Sequence, residues 1–227
     1  MSERAGGQRP PGLSATLAGW LEAEPLAGRS VLDVGTGTGR LGLWLAPRAG
    51  RVVGIDVDAA ALVEARRQAR RGGLSNMVFV VADAETADYR MLARPDAVVA
   101  HLCVSAAIVS RASEGLEPEG LLAFAAFHVD QWRETGRVSR FALEPEGARR
   151  LLVDAGFRVE RLEVERWETG YPSVEAAREA TRSHRARWEA DGRWAAWERY
   201  LADGGRTLTE SRLVALARRA GPAETGR

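Results

Sequence analysis

Five short runs of nearly unbroken apolar residues constrain this chain more than anything else in it. "SVLDVG", "RVVGIDV", "NMVFVVAD", "PDAVVAHLCV" and "GLLAFAAFHV" show no apolar–polar alternation. A strand buried on both faces reads this way, and such strands belong to parallel sheets covered by helices on either side. Helix-period segments separate them. One is "GRLGLWLAPR"; another is "DAAALVEARRQARRGG", with Asp58 placed as N-cap and Gly72-Gly73 as the stop. Repeated β-α order predicts an α/β fold with a doubly wound open sheet.

The flanking segments extend this plan. Leu13, Leu17, Trp20 and Leu21 recur at helical spacing and predict a short amphipathic helix before the first strand. "EPEGARRLLVDAG" predicts a helix with Pro145 in its first turn and Gly156 beyond its end. "FRVERLEVERW" alternates, as a strand with one wet face does. Residues 1–12 are expected to form a mobile tail and 13–227 one domain, with a core at 30–165 and a helical insertion at 170–205. "TESRLVALARR" then supplies a last strand.

Composition removes several function classes. The formal net charge is +1 over 227 residues, which argues against a protein built mainly to hold nucleic acid or an anionic membrane. All 32 Lys-plus-Arg positions are Arg. A single cysteine, Cys103, allows neither an internal disulfide nor a cysteine-type zinc site, and no metal is expected. The N-terminal "MSERAGGQRPPG" lacks the apolar centre of a signal peptide, and no apolar run reaches the ~18 residues of a membrane span. A cytoplasmic protein is the expectation.

The loop after the first strand, "VGTGTG", is where such sheets bind nucleotides. Gly35, Gly37 and Gly39 remove Cβ atoms where the backbone turns tightly and approaches a ligand. A dinucleotide fingerprint would place its third glycine at position 40, where this chain has Arg40, and would not tolerate Asp33 beside a pyrophosphate. An acid there suits a ligand with a cationic part, such as an amino group or a sulfonium.

These residues resemble motif I of the class I S-adenosylmethionine-dependent methyltransferases, acid-x-G-x-G-x-G. Five further segments match that family in order and spacing across about residues 30–165: "VVGIDVD", "FVVADAE", "PDAVVAHLCVS", "LEPEGLLAFAAF" and "LLVDAGFRVERLEVE". The resemblance implies a mostly parallel seven-stranded sheet with an antiparallel last strand, and S-adenosylmethionine as cofactor with S-adenosylhomocysteine as product. It implies that Asp56 holds the ribose hydroxyls and that Asp83 and Ala84 meet the adenine. Asp33, Gly35, Thr36, Gly37, Gly39, Val57 and His101 complete the implied cofactor contacts. Glu119 stands where the family usually has glycine, a departure expected to be harmless. The fourth strand ends in "AHLCVS" and lacks the "[DNS]-P-P-[YFW]" motif of enzymes that methylate base amino groups, which argues against adenine or cytosine of DNA or RNA as the acceptor and leaves other RNA targets open.

Methyl transfer from a sulfonium mainly needs alignment, and a base helps only when the nucleophile is protonated. His101 and His128 end the fourth and fifth strands and are the candidate bases. Packing against cofactor or loop is the plainer role for each. Cys103 reads as a core residue, and His184 as a surface one. Trp132, Arg133, Arg137 and Arg140 follow the fifth strand and are the candidate acceptor-binding residues, suited to an anionic small molecule. Residues 178–199 hold six Arg against four acids, a weak excess, with Glu189 and Arg193 spaced as a surface pair. Trp188, Trp194 and Trp197 are read as packing a cap onto the domain. The leading expectation is a methyltransferase of a small molecule, monomeric or homodimeric, acting on O or N. A methyltransferase of RNA or protein, and a non-catalytic cofactor-binding protein on the same fold, stay open beside it.

Overall fold

The computed structural model describes residues 8–139 and 141–221. In chain order the elements are α1 (Ala15–Ala23), β1 (Ser30–Val34), α2 (Arg40–Leu45), β2 (Arg51–Asp56), α3 (Ala59–Arg71), β3 (Met77–Val81), α4 (Tyr89–Ala93), β4 (Ala97–His101), α5 (Ala106–Gly115) and β5 (Leu121–His128). There follow β6 (Ala142–Leu143), α6 (Pro145–Asp154), β7 (Phe157–Gly170), α7 (Val174–Thr181), α8 (Arg185–Asp191), α9 (Arg193–Ala202) and β8 (Thr207–Arg219). The sheet runs β3-β2-β1-β4-β5-β8-β7. Neighbours are parallel from β3 to β5, and β8 lies antiparallel between β5 and β7. To the expected seven strands the structure adds the two-residue β6, which pairs with Phe127 and His128 beyond the end of β4.

Alternate residues of each central strand feed two cores. Val31, Val52, Val99, Ala123 and Val214 pack under α1 and α2; Leu32, Val53, Val98, Leu122 and Ala215 pack under α4, α5 and α6. Burial on both faces explains the unbroken apolar runs. The edge strand β3 departs from them, with Val78 and Val81 exposed. Asp58 caps α3 by accepting from the Ala60 and Ala61 N–H groups, and Gly73 turns the chain away with φ +65°.

Helices α7 to α9 form the insertion between β7 and β8. Trp188 and Trp197 are fully buried there with Phe127, Trp132 and Leu208. His184, read as a surface residue, is half-buried and stacks on Trp188 at 5.3 Å. Glu189 and Arg193 do not pair. Gly192, at φ +84°, breaks the helix between them, so Glu189 meets Arg185 at 2.7 Å and Arg193 meets Asp191 at 2.7 Å. Among the described residues no helix is long and apolar enough to cross a membrane.

Candidate active site

The chain turns from β1 into α2 through three left-handed glycines, Gly35, Gly37 and Gly39, with φ of +64°, +53° and +91°. A Cβ at Gly35 would collide with Cys103, whereas one at Gly37 would meet nothing within 4 Å. Gly35 is therefore bare for packing, and Gly37 presents open backbone to the cleft. The Gly37 N–H donates to Asp56 Oδ2 at 2.8 Å, and the Asp58 N–H to Asp56 Oδ1 at 2.9 Å. Each Asp56 oxygen retains a lone pair for further donors.

Asp33 lies under the loop, 1% exposed. Its Oδ2 accepts from the Thr36 hydroxyl at 2.5 Å and the Gly42 N–H at 2.9 Å. Burial pushes its pKa up to about 7, against the opposing pull of those two hydrogen bonds. A cleft of about 220 Å³ opens beside it, lined by Gly35, Gly37, Arg40, His101 and Leu102 among others. A larger groove of about 470 Å³ lies at the opposite, amino ends of the strands. Its charges already pair with one another, Arg29 with Asp96 and Arg90 with Glu117.

Val57 and Val81 stand at the ends of β2 and β3, 66% and 55% exposed, and Val81 is the register partner of Asp56. Exposed apolar side chains beside a carboxylate suit a base and its ribose. Asp83 is exposed and accepts the Glu85 N–H at 2.9 Å. Ala84 is buried, its carbonyl accepting the Tyr89 hydroxyl at 2.7 Å. Tyr89 fixes this turn, a role the sequence did not disclose. The cleft offers a buried acid and open glycine backbone, and the adjoining ends of β2 and β3 add a carboxylate with free lone pairs and an apolar ledge. S-adenosylmethionine needs partners of these kinds for its cations, its diol and its adenine.

His101 reaches the cleft at the end of β4. Its Nε2 accepts the Ser14 N–H at 3.2 Å, which puts the ring proton on Nδ1. Burial, then the charges of Arg212 and Arg40, push its pKa down to about 3. The imidazole is neutral at physiological pH and its basic nitrogen is engaged. Ser14 also caps α1, accepting the Leu17 N–H at 3.1 Å, and its hydroxyl donates to Glu165. Burial, then nearby acids, push the Cys103 thiol up to about 11, as suits a packing residue.

His128 sits three residues beyond Ala125, the register partner of His101. Odd and even residues face opposite ways, so it projects from the other face, roughly 10 Å further along the strand. There its Nδ1 lies 3.0 Å from Ser211 Oγ and accepts the Asp130 N–H at 3.3 Å. The structure assigns the expected acceptor-binding residues to the cap. Trp132 is buried against Phe127, His184 and Trp188. Arg133 pairs with Glu168 at 2.9 Å, and Arg137 donates to the Asp191 carbonyl. Burying a large ring and pairing exposed charges occupy these side chains at the cap junction. Arg140 lies outside the described residues.

Comparison with known proteins agrees with this geometry. Residues 31–120 match the family model of a methyltransferase domain. The ribosomal protein L11 methyltransferase of Pseudomonas aeruginosa is 35% identical over 136 residues, covering 57% of this chain and 45% of that protein. An uncharacterised RNA methyltransferase of Caldanaerobacter subterraneus is 29% identical over 143 residues, covering 62% of this chain and 28% of that protein. The chain spans less than half the length of these curated relatives. A solved structure of a candidate methyltransferase from Bacillus halodurans superposes with a TM-score of 0.68 at 21% identity, over 92% of this chain and all of that one. Phosphoethanolamine N-methyltransferase 2 of Haemonchus contortus, solved with S-adenosylmethionine, gives 0.59 at 18% identity, over 95% of this chain and 55% of that one. The fold is the Rossmann-like one of the S-adenosylmethionine-dependent methyltransferases. Residues 31–120 carry the methyltransferase domain of that family model.

Proposed function

We propose that this chain transfers a methyl group from S-adenosylmethionine to a small-molecule acceptor. The carrying observation is the pairing of two acids with one open glycine loop: Asp33 buried beneath it and Asp56 bonded to Gly37 above it. Asp33 would face the cationic part of the cofactor, Asp56 the ribose hydroxyls, and Val57 with the Asp83–Ala84 turn the adenine. When bound, the cofactor would supply an electrophilic methyl group and a sulfur leaving group that takes back the C–S electron pair. The protein aligns this methyl with the acceptor and shields both from water.

His101 acts as a neutral orienting group. Its Nε2 is held by the Ser14 N–H, which leaves it no basic lone pair for an acceptor proton. The small-molecule reading is supported by the acceptor end of the cleft, where the Ser14 segment crosses the end of β4. It is also supported by the cap, where four of the six arginines at 178–199 are matched by acids: Arg178 with Glu198, Arg182 with Glu179, Arg185 with Glu189 and Arg193 with Asp191. A cap built for RNA would leave such a row of cations unmatched. The names of the curated relatives favour the second reading, a methyltransferase of RNA or protein, which would show as salt-dependent RNA binding.

Calorimetric titration with S-adenosylhomocysteine, against NAD as control, tests the proposal. Binding of the former alone, lost in Asp56→Ala, is the expected result. Preference for NAD, or unchanged binding in Asp56→Ala, overturns the assignment.

A further inference from the structure

Arg212 is buried as deeply as any arginine among the described residues, yet its guanidinium makes no hydrogen bond among them. It and Arg193 are each 7% exposed. Arg193 binds the Asp191 carboxylate at 2.9 Å and 2.7 Å. The carboxylate facing Arg212 is Glu165, whose nearest approach is 4.0 Å, beyond hydrogen-bond reach. Glu165 is occupied elsewhere. It accepts the Ser14 hydroxyl and the N–H groups of Ala15 and Thr16, each of the latter at 3.3 Å, and so serves the first turn of α1. The indole of Trp167 lies 4.8 Å from the Arg212 guanidinium carbon and holds one of its faces without taking a proton donor. A planar five-donor fork is thus fixed in orientation and left without an acceptor.

The sheet register places this fork. His101 pairs with Ala125, Ala125 with Val214, and Phe127, one step nearer the strand end, with Arg212. Residues 101, 125 and 212 share the face that α1 covers, at the carboxyl ends of β4 and β5. The Arg212 and Arg40 charges both act on the His101 ring, and no acid is among the groups acting on it. Asp33 and Asp56 surround the glycine loop. Around Arg212 stand the acids Glu165 and Glu210 and the cations Arg40 and Arg9. With Glu165 committed to α1, the Arg212 guanidinium is the group there left open to a further acceptor.

Resting on the methyl-transfer reading, we propose that Arg212 docks an oxyanion, a carboxylate or a phosphate, on the methyl acceptor. The anion would take the fork that Glu165 leaves open and bring the nucleophile beside His101. Arg212 is then the residue that selects acidic acceptors, and Glu165 positions it by remaining committed to α1.

The test uses the full chain loaded with S-adenosylhomocysteine and titrated with benzoate, phenyl phosphate and the neutral benzamide. At least one anion should bind about tenfold more tightly than benzamide, and the better of the two tells carboxylate from phosphate. Arg212→Gln should abolish that preference while S-adenosylhomocysteine affinity stays at the wild-type value. Arg212→Lys, which keeps the charge and loses the fork, should bind anions at an intermediate level. Equal binding of the three probes to the wild type, no binding of any, or an anion preference that survives Arg212→Gln each overturns the proposal. The wild-type comparison decides the matter even if a variant fails to fold. Failure of S-adenosylhomocysteine to bind removes the methyl-transfer reading and this one together. Its binding without anion preference removes this one alone.

Discussion

Gly35 and Cys103 are packed so closely that a Cβ on the glycine would stand 2.4 Å from both Cβ and Sγ of the cysteine. The contact joins the end of β1 to the turn after β4 and sets the depth of the cofactor loop. Gly35→Ala should destabilise the fold by about 2 kcal/mol or more, from steric overlap added to a left-handed φ, and should abolish S-adenosylhomocysteine binding. Cys103→Ala leaves a Cβ in place and should not rescue it; Cys103→Gly should restore part of the stability. Denaturant midpoints of the single and double variants decide this, and a tolerated Gly35→Ala would refute the packing account.

Asp33 makes stability depend on pH in a definite sense. Its folded pKa of about 7 lies above its ordinary 3.8, so the folded state holds a proton that the unfolded state has released between these values. The stabilisation is fully present below about pH 4 and is lost as pH rises through 7. Compared with Asp33→Asn, the wild type should lose ground between about pH 4 and 8 and run parallel above. Urea unfolding of both proteins across that range measures the difference, and a constant gap would show that Asp33 is ionised throughout.

The parts of this molecule legible in the sequence are those made by neighbours along the chain. The glycine turn, the Asp58 cap and the stop at Gly73 each depend on a few consecutive residues, and local sterics alone dictate them. Asp56 ends the strand next to the loop, and its role is legible through the family resemblance. The Ser14–Glu165 and Ser14–His101 contacts span 151 and 87 residues, so no period or spacing signals them. Arg212 lay hidden inside "TESRLVALARR", where an arginine at the start of a strand reads as solvated. Its burial follows from the insertion of β8 between β5 and β7. Trp132 and its following arginines carry the chemistry of an acceptor site, but the buried apolar cluster under α7 to α9 claims the ring.

His101 yields the opposite pH sign. Its folded pKa of about 3 lies below the usual 6.5, because burial and two arginines oppose a third positive charge. The stability it contributes is present above about pH 6.5 and is lost as pH falls toward 3. His101→Leu should remove that acid sensitivity and cost about 1–3 kcal/mol at neutral pH, since the Ser14 N–H loses its acceptor. In an activity assay the wild type should show no acid limb near the ordinary histidine pKa. A limb there that vanished in His101→Leu would restore His101 as a general base.

Glu119 tests how far a family departure can be read as harmless. It holds φ +63°, a left-handed conformation in the turn before β5, where a side chain costs about 1 kcal/mol relative to glycine. Its N–H donates to the Arg219 carbonyl at 2.8 Å, a bond glycine would keep. Its side chain pairs with Arg158 at 3.0 Å, but both are more than half exposed, and such pairs contribute about 0–1 kcal/mol. Leu102, left-handed at φ +62° by the cleft, differs in kind, because its side chain packs against the cap cluster. Glu119→Gly should therefore raise stability by about 0.5–1 kcal/mol, a gain of roughly 2 °C in Tm for a chain of this size. Leu102→Gly should lower it, since the lost packing outweighs the strain relieved. Glu119 lies at the opposite end of the strands from the glycine loop, so S-adenosylhomocysteine affinity should not change with it. Thermal unfolding of the two variants side by side checks the pair. A loss of stability in Glu119→Gly would mean that the Arg158 contact holds β7 in register more firmly than its exposure implies.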